Sequence, residues 1–98
     1  MILHTVAFRL RHAAGSPAEA AFLERAAALG GLPGVGEFRV LRQVGEKNDF
    51  DWGLSMRFDS REAYAAYDAH PEHRRFVEEV WLAEVEDFLE LDYVAHGP

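Results

Sequence analysis

Residues 50–58 read Phe50-Asp51-Trp52-Gly53-Leu54-Ser55-Met56-Arg57-Phe58. In an extended chain Phe50, Trp52, Leu54, Met56 and Phe58 share one face, and Asp51, Gly53, Ser55 and Arg57 share the other. A strand of this kind needs helices over its apolar face. Working outward, Phe38 to Val44 supplies a preceding strand, with Gly45-Glu46-Lys47-Asn48-Asp49 as the hairpin loop between them. Ile2 to Leu10 alternates in the same way and makes a first strand with Phe8 on its inner face. A last strand is expected from about Asp87 to Val94.

The stretches between strands carry helix signals. Ser16-Pro17-Ala18-Glu19 offers a capping oxygen, a proline at the first helical position and a glutamate three residues after the cap. Ala18, Phe22, Ala26 and Leu29 follow at helical spacing, and Gly30-Gly31 is read as the stop because glycine reaches positive φ without a Cβ clash. The glycines of residues 30–36 leave a helix and enter a strand, the reverse of a phosphate-binding loop, so they are a turn. Asp59-Ser60-Arg61-Glu62 opens a second helix through Ala63, Tyr64 and Tyr67. Pro71 breaks it at His70 and starts another, whose apolar stripe is Phe76, Val77, Val80 and Trp81. The order is β-α-β-β-α-β, an α+β ferredoxin-like plan with an antiparallel sheet and helices on one face, in a single domain over residues 1–98.

The other sheet face then holds Leu3, Ala7, Leu41, Leu89, Leu91 and Tyr93 among Thr5, Arg9, Arg39, Asp51 and Arg57. It is too apolar for open water and too charged for a dry core. Two copies facing each other through their sheets resolve this, so a homodimer is expected.

Composition narrows the function classes. The apolar share of 49% and charged share of 28% are those of an ordinary globular chain. The formal charge is −7, with seven Lys/Arg against six Asp/Glu in residues 1–58 and three against eleven in residues 59–98. An acidic helical half disfavours nucleic acid and anionic membrane, which are bound by releasing counterions to basic patches. The third-strand aromatics face the helices, whereas RNA-recognition modules display them on the open sheet. No apolar run is long enough for a membrane span, and Met1 opens onto a strand without a basic signal region, so a cytoplasmic location is expected. With no cysteine there is no thiol nucleophile or thiolate metal site.

The candidate chemistry lies in four residues. His73 precedes Phe76 and Val77 by three and four positions, so it faces inward with the apolar stripe. His4 shares the inner strand face with Ile2 and Val6, Tyr67 closes the preceding helix over the sheet, and Asp92 reaches in from the last strand. A carboxylate on one imidazole nitrogen fixes the tautomer and leaves the other nitrogen as a base, while a phenol donates to a developing oxyanion. His73, Asp92, Tyr67 and His4 are therefore read together as a group able to transfer protons, with the phenol as donor or orienter. No cofactor is needed. The blander reading makes each inward histidine a satisfied structural residue.

Trp52 and Trp81 fill core and, with Val6 and Phe22, are the candidate walls of a pocket for a small apolar or aromatic molecule. His70 and His73 flank Glu72 in a metal-like spacing, but His70 precedes a proline and need not share a helical face with His73, so no metal site is expected. His12 and His96 are read as solvated. Glu78, Glu79, Glu84, Glu86 and Asp87 are read as the wet face of the last helix and its exit.

Ile2-Leu3-His4-Thr5-Val6-Ala7-Phe8-Arg9-Leu10, Leu32-Pro33-Gly34-Val35, Phe58-Asp59-Ser60, Tyr67-Asp68-Ala69-His70-Pro71-Glu72-His73 and Leu91-Asp92-Tyr93 together resemble the stress-responsive A/B barrel, or Dabb, domain family. The resemblance spans nearly the whole chain, and its sharpest motif is Tyr-x-x-His-Pro-x-His with the terminal Asp-Tyr. It implies a dimeric α+β barrel. A plant branch similar to olivetolic acid cyclase closes a ring in a linear polyketide thioester by an aldol-type step. It implies roles for Tyr67 and His73, for Asp92 beside the histidine and for His4 on the first strand. Trp52 stands where that branch has a further histidine, which is expected to narrow the cavity. The family otherwise admits a noncatalytic dimer that binds a small molecule or serves a structural role under stress.

Overall fold

The computed structural model describes residues 1–97. Four strands, β1 (Ile2–Leu10), β2 (Gly36–Arg42), β3 (Trp52–Phe58) and β4 (Val85–Tyr93), form one sheet in the order β2-β3-β1-β4. Every neighbouring pair is antiparallel. Helices α1 (Pro17–Ala27), α2 (Arg61–Ala69) and α3 (Pro71–Phe76) cover one face, and α3 runs on through a π-helical turn (Val77–Trp81) and a last α-turn (Leu82–Glu84). This is the ferredoxin-like α+β arrangement.

The caps form as their residue types dictate. Ser16 Oγ accepts the Glu19 amide at 3.1 Å, while the Glu19 carboxylate reaches back to the Gly15 amide at 3.0 Å. Ser60 Oγ accepts the Ala63 amide at 3.1 Å to open α2. His70 ends α2 in an extended conformation, and its Nδ1 accepts the Glu72 amide at 3.1 Å to start α3. That ring nitrogen is therefore engaged in the helix cap. No cluster of three or more side chains able to share a metal ion occurs among the described residues.

The core lies between sheet and helices. Phe8, Phe22, Phe58 and Met56 are its largest fully buried side chains, and Trp81 packs against both Phe8 and Phe22 with ring centroids 5.2 and 6.0 Å apart. The π turn widens the helix by one residue, so that Phe76 and Trp81, five positions apart, both face inward.

Several boundaries and roles differ from the sequence expectation. The β2–β3 connection is longer than Gly45–Asp49: β2 ends at Arg42 and β3 begins at Trp52, with the Gln43 amide still donating to the Asp51 carbonyl at 2.9 Å and the Asp51 amide to the Phe8 carbonyl at 3.1 Å. The last strand begins at Val85 instead of Asp87, after a register shift between Arg9 and Leu10. Gly30 and Gly31 do not take positive φ. They lie in a 3₁₀ turn (Ala28–Gly31), and it is Gly34 at φ +83° that turns the chain. Gly30 is needed for space, since a Cβ there would stand 3.0 Å from Phe38 Cβ and Cγ.

The second sheet face carries the residues that alternation assigned to it. Leu3, Leu41, Leu89, Leu91 and Tyr93 are all exposed on one surface, beside Thr5, Arg39 and Arg57. No helix among the described residues is long and apolar enough to cross a membrane.

Candidate active site

Antiparallel pairing of the first and last strands sets His4 opposite Asp92 and Val6 opposite Glu90. The side chains of His4 and Asp92 therefore leave the sheet on the same, helix-covered face. His4 is 5% exposed, and its Nδ1 lies 2.5 Å from Asp92 Oδ1. A carboxylate can only accept here, so Nδ1 carries the proton. Tyr64 completes the group: its hydroxyl donates to Asp92 Oδ2 at 2.8 Å and lies 2.9 Å from His4 Nδ1. The Tyr64 ring stacks on Phe58 at a centroid distance of 5.0 Å and 14° between planes, which holds the hydroxyl in place.

The tautomer that results leaves His4 Nε2 as the basic nitrogen. No buried side-chain nitrogen or oxygen among the described residues lacks a partner, and Nε2 takes part in none of the hydrogen bonds described. It must open to space. That space is an inner cavity of about 270 Å³ between sheet and helices, lined by His4, Val6, Tyr67, His73, Trp81 and Phe88 among others.

Tyr67 and His73 are also on the wall. Tyr67 is 2% exposed, and its ring meets that of His73 at 4.4 Å between centroids. His73 Nδ1 donates to the Asp68 carbonyl at 3.1 Å, which again leaves Nε2 unprotonated in the neutral ring. Burial raises the Tyr67 phenol above its ordinary value of 10.0, and the nearby charges of Asp68 and Glu90 push it further the same way. Burial likewise raises Tyr64, reinforced by its hydrogen bond to Asp92. Both tyrosines are therefore hydrogen-bond donors at neutral pH and not bases.

Four sequence readings need correction. Asp92 bonds His4, not His73, because strand pairing brings it to β1 while α3 holds His73 over the end of α2. Tyr64, read only as part of the second helix, is the phenol that touches the dyad. Phe22 is fully buried in the core and Trp52 lies elsewhere in it, its Nε1 donating to Glu19 at 3.2 Å and its ring under the Arg42 guanidinium; neither lines the cavity, so Trp52 does not narrow it. His12 is not free in water: its Nε2 lies 2.6 Å from Glu84 Oε1, and both are half-buried, which also removes Glu84 from the wet face.

Asp92 and Tyr64 have a second side. They line an outer groove of about 360 Å³ with Arg61 and Asp68, between α2 and the end of β4. The Asp92 side chain is 41% exposed, so the buried imidazole is one residue away from solvent.

The four-stranded antiparallel sheet with helices over one face defines an α+β domain of the ferredoxin-like class. The chain belongs to the stress-responsive A/B barrel domain (Dabb) family, whose model matches residues 2–95. A Dabb family protein of ferredoxin-like fold from Mesorhizobium loti is 46% identical, with a TM-score of 0.97 over 98% of this chain and 97% of that one. A stress-response A/B barrel domain-containing protein of Arabidopsis thaliana is 30% identical over 97 residues, covering 97% of this chain and 37% of that protein. The chain thus spans little more than a third of that relative. A dimeric ferredoxin-like protein of unknown function from Jannaschia is 25% identical, with a TM-score of 0.76 over 96% of this chain and 98% of that one. A hydroxynitrile lyase from Passiflora edulis shares the fold at 16% identity, with a TM-score of 0.85 over 99% of this chain and 94% of that one.

Proposed function

We propose that this Dabb domain works as a homodimer that takes a small apolar or aromatic molecule into the inner cavity and transfers a proton on it, with His4 as the base. One observation carries the reading: a buried imidazole is anchored through Nδ1 by a carboxylate and lines, with its other edge, a largely apolar cavity. Such a nitrogen is held in one tautomer and faces mostly apolar walls, the arrangement a general base needs. The cavity volume lies just below the ~300–1,000 Å³ usual for drug-sized ligands, which suits a molecule with a single ring.

In the proposed step His4 Nε2 removes a proton from carbon next to a carbonyl. The bonding pair moves toward the carbonyl oxygen, and the Tyr67 hydroxyl donates a hydrogen bond to that oxygen as charge develops. The resulting imidazolium is stabilised by Asp92, held in turn by Tyr64. The proton then returns to another position of the same molecule, so no cofactor or co-reactant is consumed. His73 also lines the cavity and contacts Tyr67. Isomerisation and aldol-type ring closure, including the polyketide cyclisation suggested by the family resemblance, both begin this way. The lyase of the same fold contributes the frame only.

The test is native mass spectrometry of freshly purified protein, followed by assay of any captured compound with the wild type and with His4→Gln. A compound that turns over, with a loss of about 10²–10⁴-fold in His4→Gln and unchanged affinity, is the expected result. Equal turnover in both proteins would remove His4 as the base. Binding without turnover in either would leave a noncatalytic binder.

A further inference from the structure

The inner cavity has one charged wall that the proton-transfer reading does not use. Glu90 stands opposite Val6, so its side chain leaves β4 on the helix-covered face between those of Phe88 and Asp92. It lines the cavity together with His4 and Tyr67, and no lysine or arginine does. The two histidines on the wall each direct Nδ1 to an acceptor other than Glu90, so those N–H groups do not pair with its carboxylate.

Burial is graded along this wall. Tyr67 and His4 lie deep, whereas Glu90 is exposed at the mouth, beside Phe88 and Leu82, which are exposed too. Trp81 and Phe88 meet edge to face with centroids 5.5 Å apart, giving the entrance an aromatic side. A carboxylate on the rim of an apolar chamber attracts cations and repels anions more strongly than one on an open surface, because the low-dielectric walls focus its field. Aromatic faces nearby add to the attraction for an ammonium group.

We infer that the cavity selects a single-ring aromatic compound bearing a protonated amine, its ring inward and its ammonium group paired with Glu90 at the mouth. Glu90 is then the residue that sets ligand charge, accepting amines and turning carboxylates away. The inference rests on the reading of this cavity as a ligand site.

Three probes of one size separate the two: 2-phenylethylamine, 2-phenylethanol and phenylacetate, titrated at pH 7 while the NMR signals of His4, Tyr67 and Trp81 are followed. The amine is expected to bind at least about tenfold more tightly than the acid, with the alcohol between them, and added salt should narrow the gap. Glu90→Gln should bring the three within about threefold while leaving the alcohol unchanged, and Glu90→Lys should reverse the order. If the alcohol binds but the acid binds as well as the amine, or the preference survives in Glu90→Gln, the charge assignment is overturned and the cavity reading stands. If none of the three moves those signals, both fall. The comparison on the unmodified protein holds even if a variant fails to fold.

Discussion

A buried histidine is informative only through what its two nitrogens do. His4 differs from a merely satisfied core histidine because one nitrogen is taken by Asp92 and Tyr64 and the other is left facing the cavity. Tyr64 matters because Asp92 is partly exposed and would otherwise be free to turn toward water. Tyr64→Phe keeps the stack on Phe58 but removes the hydroxyl that holds Oδ2. The expected result is a loss of about 1 kcal/mol of stability and a mixed His4 tautomer, read from imidazole ¹⁵N shifts. A spectrum that still shows a single Nδ1–H tautomer would mean that Asp92 suffices alone.

The raised tyrosines also predict a pH dependence with a definite sign. Below the ordinary value of 10.0 Tyr67 is protonated in both folded and unfolded chains and has no effect on their balance. Above it the unfolded phenol ionises while the folded one resists, so the unfolded state gains and stability falls as pH rises. Thermal melts from pH 8 to 11 should show this fall, and Tyr67→Phe should make it shallower. An identical slope in the variant would place the loss elsewhere.

Elements were readable to different degrees. The strand alternation and the serine caps are local, and they appear where the residue types put them. The first helix does end at Gly30-Gly31, but not through the positive φ expected of them, since Gly30 instead meets the Phe38 side chain. Gly30→Ala should therefore destabilise by about 1–3 kcal/mol through overpacking, whereas Gly31→Ala, where a Cβ meets nothing within 4 Å, should not. Urea midpoints that move equally in the two variants would contradict that account. The π turn was also invisible in the sequence, because the helical pattern before and after it is compatible with an unbroken α-helix.

At the scale of the whole molecule the open sheet face is the unfinished part. Leu3, Leu41, Leu89, Leu91 and Tyr93 form one exposed apolar surface, larger in its cluster than scattered surface leucines require. The proposed homodimer covers it, and related dimeric proteins of this fold exist. Leu91→Asp should turn the sedimenting species into a monomer of 11.1 kDa while leaving the helix-covered cavity intact. A wild type that already sediments at that mass would remove the dimer from the proposal. The same substitution provides a control for the site, because Leu91 and His4 lie on opposite faces of one sheet.

The sequence by itself determined the strands with their inner and outer faces, the capped helix starts and the set of residues that point inward, because all of these depend on neighbours within a few positions. Which inward residue touches which was decided only by the tertiary structure. His4 and Asp92 are 88 positions apart and meet through the register of β1 on β4, and Tyr64 rather than Tyr67 joins them through the height at which α2 packs on the sheet. Register and packing height are properties of the assembled core, so one-dimensional periodicity can bring a side chain to the right face but not to its partner.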